Sequence, residues 1–189
     1  MTRRLLIPVA AALMLLGCAK GATTAGPARL RAADYHALAV GNQWTYSGKM
    51  GGQPQEKTIT IVGMRDGFFA DDANGLLQVD SQGLRDDKRY LLREPIERGK
   101  AWSSIVSVAS TEHYEIVDVG FTISVPAGSF SDCVLVRGTN RIDADKSLRT
   151  EWTFAPGVGI VRIAMVAVAN GHEIPQGLVE LKSFKVAKR

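Results

Sequence analysis

The sequence predicts an all-β domain whose strands form one mainly antiparallel, curved sheet, either a meander or a half-barrel-like sheet with few short helices. Apolar segments of about 5 to 10 residues recur along the chain and show the two-residue period of strands. Glycine, proline, asparagine and aspartate separate these segments, and no long stretch has helical periodicity. Short strands joined by turns favour antiparallel pairing, so we expect about ten strands in a single domain.

The chain before the first strand has two predicted parts. Residues 18–32 are mostly small and polar and predict a flexible tether. The domain itself is expected to span residues 33–189. Its first element is one short helical turn, because Tyr35, Leu38 and Ala39 recur at about three to four residues.

Alternation of apolar and polar residues predicts the strands that follow, and turn residues mark their ends. The alternating pairs are Trp44 and Tyr46, Ile59 and Ile61, Leu77 and Val79, and Trp152 and Phe154. The turn segments are 47–52, 72–75, 126–128, 155–157 and 175–177. Asn74-Gly75 is the pair that hairpin turns favour.

One strand departs from simple alternation. Residues 160–169 are apolar at every position except Arg162, which predicts a strand buried on both faces. Such a strand fits the centre of a layered core, and it also fits a sheet that curls around a ligand. In the second case we expect Val166 and Val168 to contribute to an apolar concavity.

The N-terminus predicts export and lipidation. Arg3 and Arg4 precede an apolar stretch, residues 5–16, that is shorter than the roughly 20 residues of a membrane span. Residues 1–17 are therefore predicted to be a signal peptide. The segment Leu15-Leu16-Gly17-Cys18 resembles a bacterial lipobox, which implies acylation of Cys18 by diacylglycerol and an N-linked chain such as palmitate. The alternative is an ordinary secretory signal with an incidental cysteine.

Acylation of Cys18 implies a partner and a location. Two or three acyl chains hold a protein lastingly on a bilayer, whereas one chain binds only marginally. We therefore expect the membrane as a partner, and a lipid-anchored protein of the bacterial cell envelope. In a Gram-negative bacterium, Ala19 after the cysteine implies the outer membrane.

Composition limits the remaining partners. The chain has 23 basic and 19 acidic side chains, and removal of Arg3 and Arg4 with the signal leaves a formal charge of about +2. No basic cluster contains interleaved aromatic residues, so nucleic acid is not an expected partner. Cys133 would be the one remaining thiol, and its neighbour Asp132 opposes thiolate formation. It is expected to be a small buried residue.

No pattern in the sequence predicts a catalytic, cofactor or metal site. His36, His113 and His172 have no metal-ligand spacing to other donors, although His113 and Glu115 share one face of a strand. The acidic segment 71–75 lacks the spaced ligands of a calcium loop and fits a hairpin tip better. We therefore expect no cofactor and no enzymatic activity.

Three phrases resemble a loosely defined group of bacterial secreted proteins and lipoproteins. They are Val-Gly-Asn-x-Trp-x-Tyr at residues 40–46, Val-Pro-Ala-Gly-x-Phe at 125–130 before Cys133, and aromatic-Ala-Pro-Gly-Val-Gly at 154–159. The resemblance covers residues 38–185 and implies a curved antiparallel sheet, similar to the open half-barrels of periplasmic lipoprotein carriers. It implies no catalytic residues.

The function expected from these observations is binding by a membrane-anchored envelope lipoprotein. The partner is either an apolar ligand such as a lipid on the concave face or another envelope protein. The alternative is a structural accessory of an envelope assembly without a ligand, and an enzyme ranks below both.

The lipobox generates the first testable prediction. Cys18→Ser should move the protein from the membrane fraction to the soluble fraction, because the acyl chains have no other attachment site in this reading. Fractionation with immunoblotting and N-terminal sequencing of the wild type measure this. Unchanged membrane association of the variant, with a mature N-terminus elsewhere than residue 18, would contradict it.

Overall fold

The computed structural model describes residues 30–108 and 110–187, and its main element is a 12-stranded antiparallel sheet. The predicted all-β, antiparallel class is confirmed. The predicted signal peptide and Cys18 lie outside the described residues. The elements are α1 (Ala32–Tyr35), β1 (Gln43–Met50), β2 (Gln53–Arg65), β3 (Phe68–Asp71), β4 (Leu76–Asp80), β5 (Gly83–Arg85), β6 (Tyr90–Arg93), β7 (Ala101–Ser107), β8 (Ser110–Val125), β9 (Gly128–Arg141), β10 (Lys146–Ala155), β11 (Gly159–Ala169) and β12 (His172–Lys185).

The sheet is a meander in which neighbouring strands are consecutive in the chain, except for the central pair of β1 and β12. The order is β6-β5-β4-β3-β2-β1-β12-β11-β10-β9-β8-β7, so the first and last strands pair in the middle. Twelve strands exceed the roughly ten expected, because β3, β5 and β6 have only three or four residues and cannot show clear alternation. Asn74 adopts a positive φ in the predicted turn between β3 and β4.

The sheet curls until its two edge strands, β6 and β7, approach each other. The indole Nε1 of Trp102 on β7 donates to the carbonyl oxygen of Tyr90 on β6 at 3.0 Å. Just before β6, Arg89 reaches Glu112 on β8, with 2.5 Å between guanidinium and carboxylate. Side-chain hydrogen bonds and an ion pair, not a backbone ladder, therefore connect the two edges of the sheet.

The N-terminal segment packs against one end of the curled sheet. The amide of Ala32 donates to Glu94 Oε1 at 2.7 Å, in the connection between β6 and β7. The hydroxyl of Tyr35 donates to the carbonyl of Asp132 at 3.1 Å, and the carbonyl of Asp34 accepts from Gly157 at 2.6 Å. Ala32, at the end of the predicted tether, is buried, so packing of the domain begins there.

The core comprises two clusters on the concave side of the sheet. One contains α1 residues with Leu84, Leu92, Ile116 and Phe154, and the other contains Trp44, Ile61, Cys133, Val161 and Leu181. Both draw on strands from the two halves of the meander, so they hold the curl together. Among the described residues, no helix is long and apolar enough to cross a membrane.

Closure through Trp102 generates a prediction about stability. Trp102→Phe leaves a smaller aromatic ring against Tyr114 and removes the donor to Tyr90. The unpaired, part-buried carbonyl should lower the free energy of unfolding by about 1–2 kcal/mol, and the smaller ring adds a further loss of packing. Urea denaturation measures this loss, and hydrogen exchange should show it first in β6. Faster exchange spread evenly over all strands would contradict a local role in closure.

Candidate functional site

Two cavities lie next to each other on the concave face, and their walls are mostly strand side chains. Tyr46 of β1 and Ile160 of β11 line the first cavity, whereas Met50 and Ile163 of the same strands line the second. Their volumes are about 280 Å³ and about 380 Å³. Adjacent apolar cavities with a few polar groups are typical of sites for small ligands.

The first, named here the His36 cavity, has an apolar wall, a polar mouth and a buried inner end. Asn74 and Asp87 are exposed at the mouth, while His36 and Trp44 are buried at the opposite end. The described residues that line it are His36, Trp44, Tyr46, Ile59, Ile61, Phe69, Asp71, Asn74, Gly75, Leu76, Leu77, Asp86, Asp87, Leu91 and Ile160.

His36 is the unusual residue of this cavity. Its side chain follows α1 directly, is only 4% exposed and meets the Trp44 ring edge-on at 5.1 Å between centroids. Its Nδ1 is inaccessible and has no hydrogen-bond partner among the described residues. Burial lowers the pKa of His36 from 6.5 to about 4, because the cation would lose its hydration. The imidazole is therefore neutral at neutral pH.

Gly159 permits this position of His36. Gly159 has a φ of +120°, and a Cβ there would lie 3.0 Å from His36 Nε2. A side chain at residue 159 would therefore collide with the imidazole and strain the backbone. The glycine of the Ala-Pro-Gly-Val-Gly phrase thus has a defined structural role.

The second, named here the Trp152 cavity, has an aromatic wall. The Trp102, Tyr114 and Trp152 rings stack in series, with centroid separations of 5.4 and 6.0 Å. The Tyr114 hydroxyl donates to Glu112, which also pairs with Arg89. Within the part of the chain that the structure describes, its lining is Met50, Arg89, Glu112, Tyr114, Gly138, Thr139, Asn140, Leu148, Thr150, Trp152, Ile163 and Met165.

Gly138 makes the aromatic stack possible. A Cβ on Gly138 would lie 2.8 Å from the Trp152 ring and 2.9 Å from the Tyr114 ring. Both distances are shorter than carbon atoms tolerate without a shift. Absence of a side chain at this point therefore lets the two rings approach across β9.

Val166 and Val168 lie on the other face of β11 from these cavities. Val166 is opposite Arg149, and Val168 is opposite Ser147 on β10. Residues directly opposite on antiparallel strands share a face, and Arg149 pairs with Glu173 on the outer one. The β11 residues that line the cavities are Ile160, Ile163 and Met165. This differs from the expectation for Val166 and Val168, which are half-buried on the outer surface.

The other candidate residues form no reactive centre among those described. His113 accepts or donates one hydrogen bond to Ser103 Oγ at 2.8 Å, and both side chains are exposed on the outer face. His172, the first residue of β12, is also exposed. No group of three potential metal ligands occurs within residues 30–108 and 110–187.

Cys133 is a core residue, as expected from its apolar context. It is fully buried, and its Sγ lies 3.4 Å from the carbonyl of Phe130. Burial first, and then the nearby charge of Asp132, raise the pKa of the thiol to about 11. The thiol is therefore protonated at neutral pH and unsuited to nucleophilic chemistry.

Comparison with known proteins adds no family assignment. Neither a protein family nor a curated protein matches the chain. Among solved structures, the chain is similar to a protein from Bacteroides fragilis that is described as exported and of YmcC-like fold. The two share 15% sequence identity, the match covers 80% of this chain and 98% of that chain, and the TM-score is 0.45. It is also similar to a protein from Parabacteroides distasonis described as a lipoprotein, with 11% identity, the same coverages and a TM-score of 0.42.

Burial of neutral His36 generates a prediction about pH. Below pH 6.5 the unfolded chain binds a proton that the folded chain does not bind until about pH 4. Stability should therefore fall as the pH falls through this window. Between pH 7 and about pH 4.5, the free energy of unfolding of the wild type should fall by roughly 2–3 kcal/mol more than that of His36→Phe. Urea denaturation at both pH values measures this difference.

His172→Phe is the matched control, because His172 is exposed. This control should keep the pH dependence of the wild type. An equal loss of stability in the wild type and in His36→Phe would show that His36 does not titrate in this window.

Proposed function

We propose that this protein is a lipid-anchored, non-enzymatic protein of the bacterial cell envelope that binds an apolar ligand on the concave face of its sheet. The observation that carries the proposal is the pair of adjacent cavities, the His36 cavity and the Trp152 cavity, in a sheet that a single short helix covers within residues 30–108 and 110–187. The lipobox-like segment ending at Cys18 supports the anchoring. Location on a membrane would place the cavities close to a supply of lipids.

The cavity walls suit an apolar ligand because their main polar groups already have partners. The Trp44 indole donates to the carbonyl of Val158, and the Tyr46 hydroxyl donates to that of Ile160, both at 2.8 Å. The wall therefore presents aromatic and aliphatic surface to a ligand. Burial of such surface favours binding by roughly 25 cal/mol per Å² before the costs of association are subtracted.

The polar groups of the Trp152 cavity also support an apolar ligand. The ion pair of Arg89 and Glu112 lies on its lining together with the Tyr114 hydroxyl. These groups satisfy one another, so an apolar ligand beneath them would not have to break a hydrogen bond to enter. Met50 and Met165 add flexible side chains that adapt to ligands of different shape.

A protein partner is the second candidate, and one surface favours it. Ala164, Val166, Val168 and Leu178 form an apolar strip on the outer face of β11 and β12. The ion pairs Arg149–Glu173 and Arg162–Glu180 flank this strip. A polar border around an apolar patch is typical of interaction sites. In that case the cavities would be packing defects without a ligand.

Two variants of β11 distinguish the candidates. Ile163 faces the Trp152 cavity, and Val166, three residues later, is half-buried on the outer face. Ile163→Asp should weaken uptake of the neutral dye N-phenyl-1-naphthylamine at least tenfold, because it places an unpaired charge in the apolar wall. Val166→Asp is the matched control and should bind as the wild type does. Fluorescence titration measures both.

The titration uses the full chain with Cys18→Ser, which avoids detergent that would compete for the cavities. Met165→Trp provides an uncharged second test, since a larger ring should fill the cavity and exclude the dye. Native mass spectrometry should show a retained apolar molecule. A soluble protein that binds no dye and retains no such molecule would remove the ligand-binding proposal. Loss of a co-purifying partner on Val166→Asp would then favour the protein candidate.

A further inference from the structure

His36 is a buried polar side chain with unused hydrogen-bonding capacity at the inner end of the His36 cavity. Its ring lines the cavity, and neither ring nitrogen has a hydrogen-bond partner among the described residues. Nδ1 is inaccessible, so Nε2 is the nitrogen that a ligand in the cavity can reach, and a hydrogen bond to Nε2 would favour binding because an unpaired polar atom in an apolar site is costly. Trp44 and Gly159 fix the ring from two sides. The unsatisfied group is therefore held in place before any ligand enters.

The other polar groups behind the mouth of the cavity already have hydrogen-bond partners. The Trp44 and Tyr46 donors already bind backbone carbonyls of the β10–β11 connection and β11. Asp71 accepts from the amides of Ala73 and Gly75 in the β3–β4 turn, at 2.8 and 2.6 Å. Asp86 accepts from the amides of Lys88 and Arg89. His36 is thus the polar group from which a buried ligand has most to gain.

The charge of the lining selects against anionic ligands. Asp71, Asp86 and Asp87 line the cavity, and no lysine or arginine of the described chain does so. The carboxylate of a fatty acid would meet negative charge at the mouth and no counter-cation inside. A neutral imidazole offers one donor and one acceptor, which is the complement of a hydroxyl group.

We propose that the His36 cavity selects apolar ligands that carry a neutral hydroxyl group, as long-chain alcohols do, and that the His36 imidazole hydrogen-bonds this hydroxyl at the inner end of the cavity. The inference rests on the ligand-binding function proposed above and defines its chemical class. The hydroxyl enters first, and the alkyl chain lies against the wall formed by Ile59, Phe69 and Leu77. The acidic mouth then contacts only the end of the chain or solvent.

Calorimetric titration of the Cys18→Ser, Met165→Trp protein, in which the larger ring fills the Trp152 cavity, tests this selectivity in the His36 cavity. The ligands are 1-decanol, its methyl ether 1-methoxydecane, decanoate and decylamine. We expect 1-decanol to bind at least tenfold more tightly than each of the other three. His36→Phe in the same background should still bind the ether and lose the preference for the alcohol over the ether. His172→Phe, the control at an exposed histidine, should keep the preference.

The outcomes separate this inference from the proposed function. If the wild type binds no dye, the proposed function and the inference both fail. If it binds the dye but the Met165→Trp protein shows no preference for the alcohol, or prefers decanoate or decylamine, the inference alone is overturned. Retention of the preference by a folded His36→Phe would also overturn it.

If His36→Phe does not fold, NMR of the imidazole nitrogens in the wild type tests the hydrogen bond between His36 and the hydroxyl group. The His36 resonances are those that remain in the spectra of both His113→Phe and His172→Phe, variants of the two exposed histidines. Addition of 1-decanol should shift a His36 ring nitrogen, whereas 1-methoxydecane at equal occupancy should shift it less. Equal shifts with both compounds would contradict a hydrogen bond to the hydroxyl.

Discussion

The structure depends on one constraint: the apolar concave face of a long sheet has almost no helix to cover it. The described chain has a single helix of four residues, so the sheet must curl and bury its side chains against its own far side. The curl brings β6 and β7 together, and there the Trp102 indole donates a hydrogen bond to the Tyr90 carbonyl in place of a backbone ladder. A closed edge also protects the strand from pairing with other chains.

Curling creates cavities because side chains on a strongly curved sheet cannot fill its interior evenly. The structure stabilises the walls instead, through the aromatic stack around Tyr114 and through Trp44 and Tyr46, whose polar atoms bond to backbone carbonyls. These contacts join protein groups to one another, so the ordering cost of building the walls falls on folding and not on binding. An interior of this kind is compatible with ligand uptake without large movement of the sheet.

Local patterns in the sequence were sufficient for the strands but not for the site. Alternation at Trp44 and Tyr46 identified β1 and its inner face, and Asn74-Gly75 identified a turn. The inward face of β11 could not be predicted, because an apolar run carries no alternation and the ladder is irregular between Thr153 and Phe154 and again at Met165. His36 gave no sequence signal, since its burial depends on contacts with β1 and the β10–β11 connection that are distant in the chain.

The segment that leads from the predicted anchor also builds the inner end of the His36 cavity. Residues 18–29 connect Cys18 to the described chain, and α1 then bonds to Glu94, Asp132 and Gly157 at three separate places in the sheet. His36 follows α1 without an intervening residue, so the bonds that fix α1 also fix the imidazole. Because these partners lie on both sides of the sheet closure, the position of His36 depends on the curl as a whole. Any ligand that gains from His36 therefore stabilises the packed N-terminal segment and the closed sheet together, since binding to the folded state alone shifts the folding equilibrium towards it.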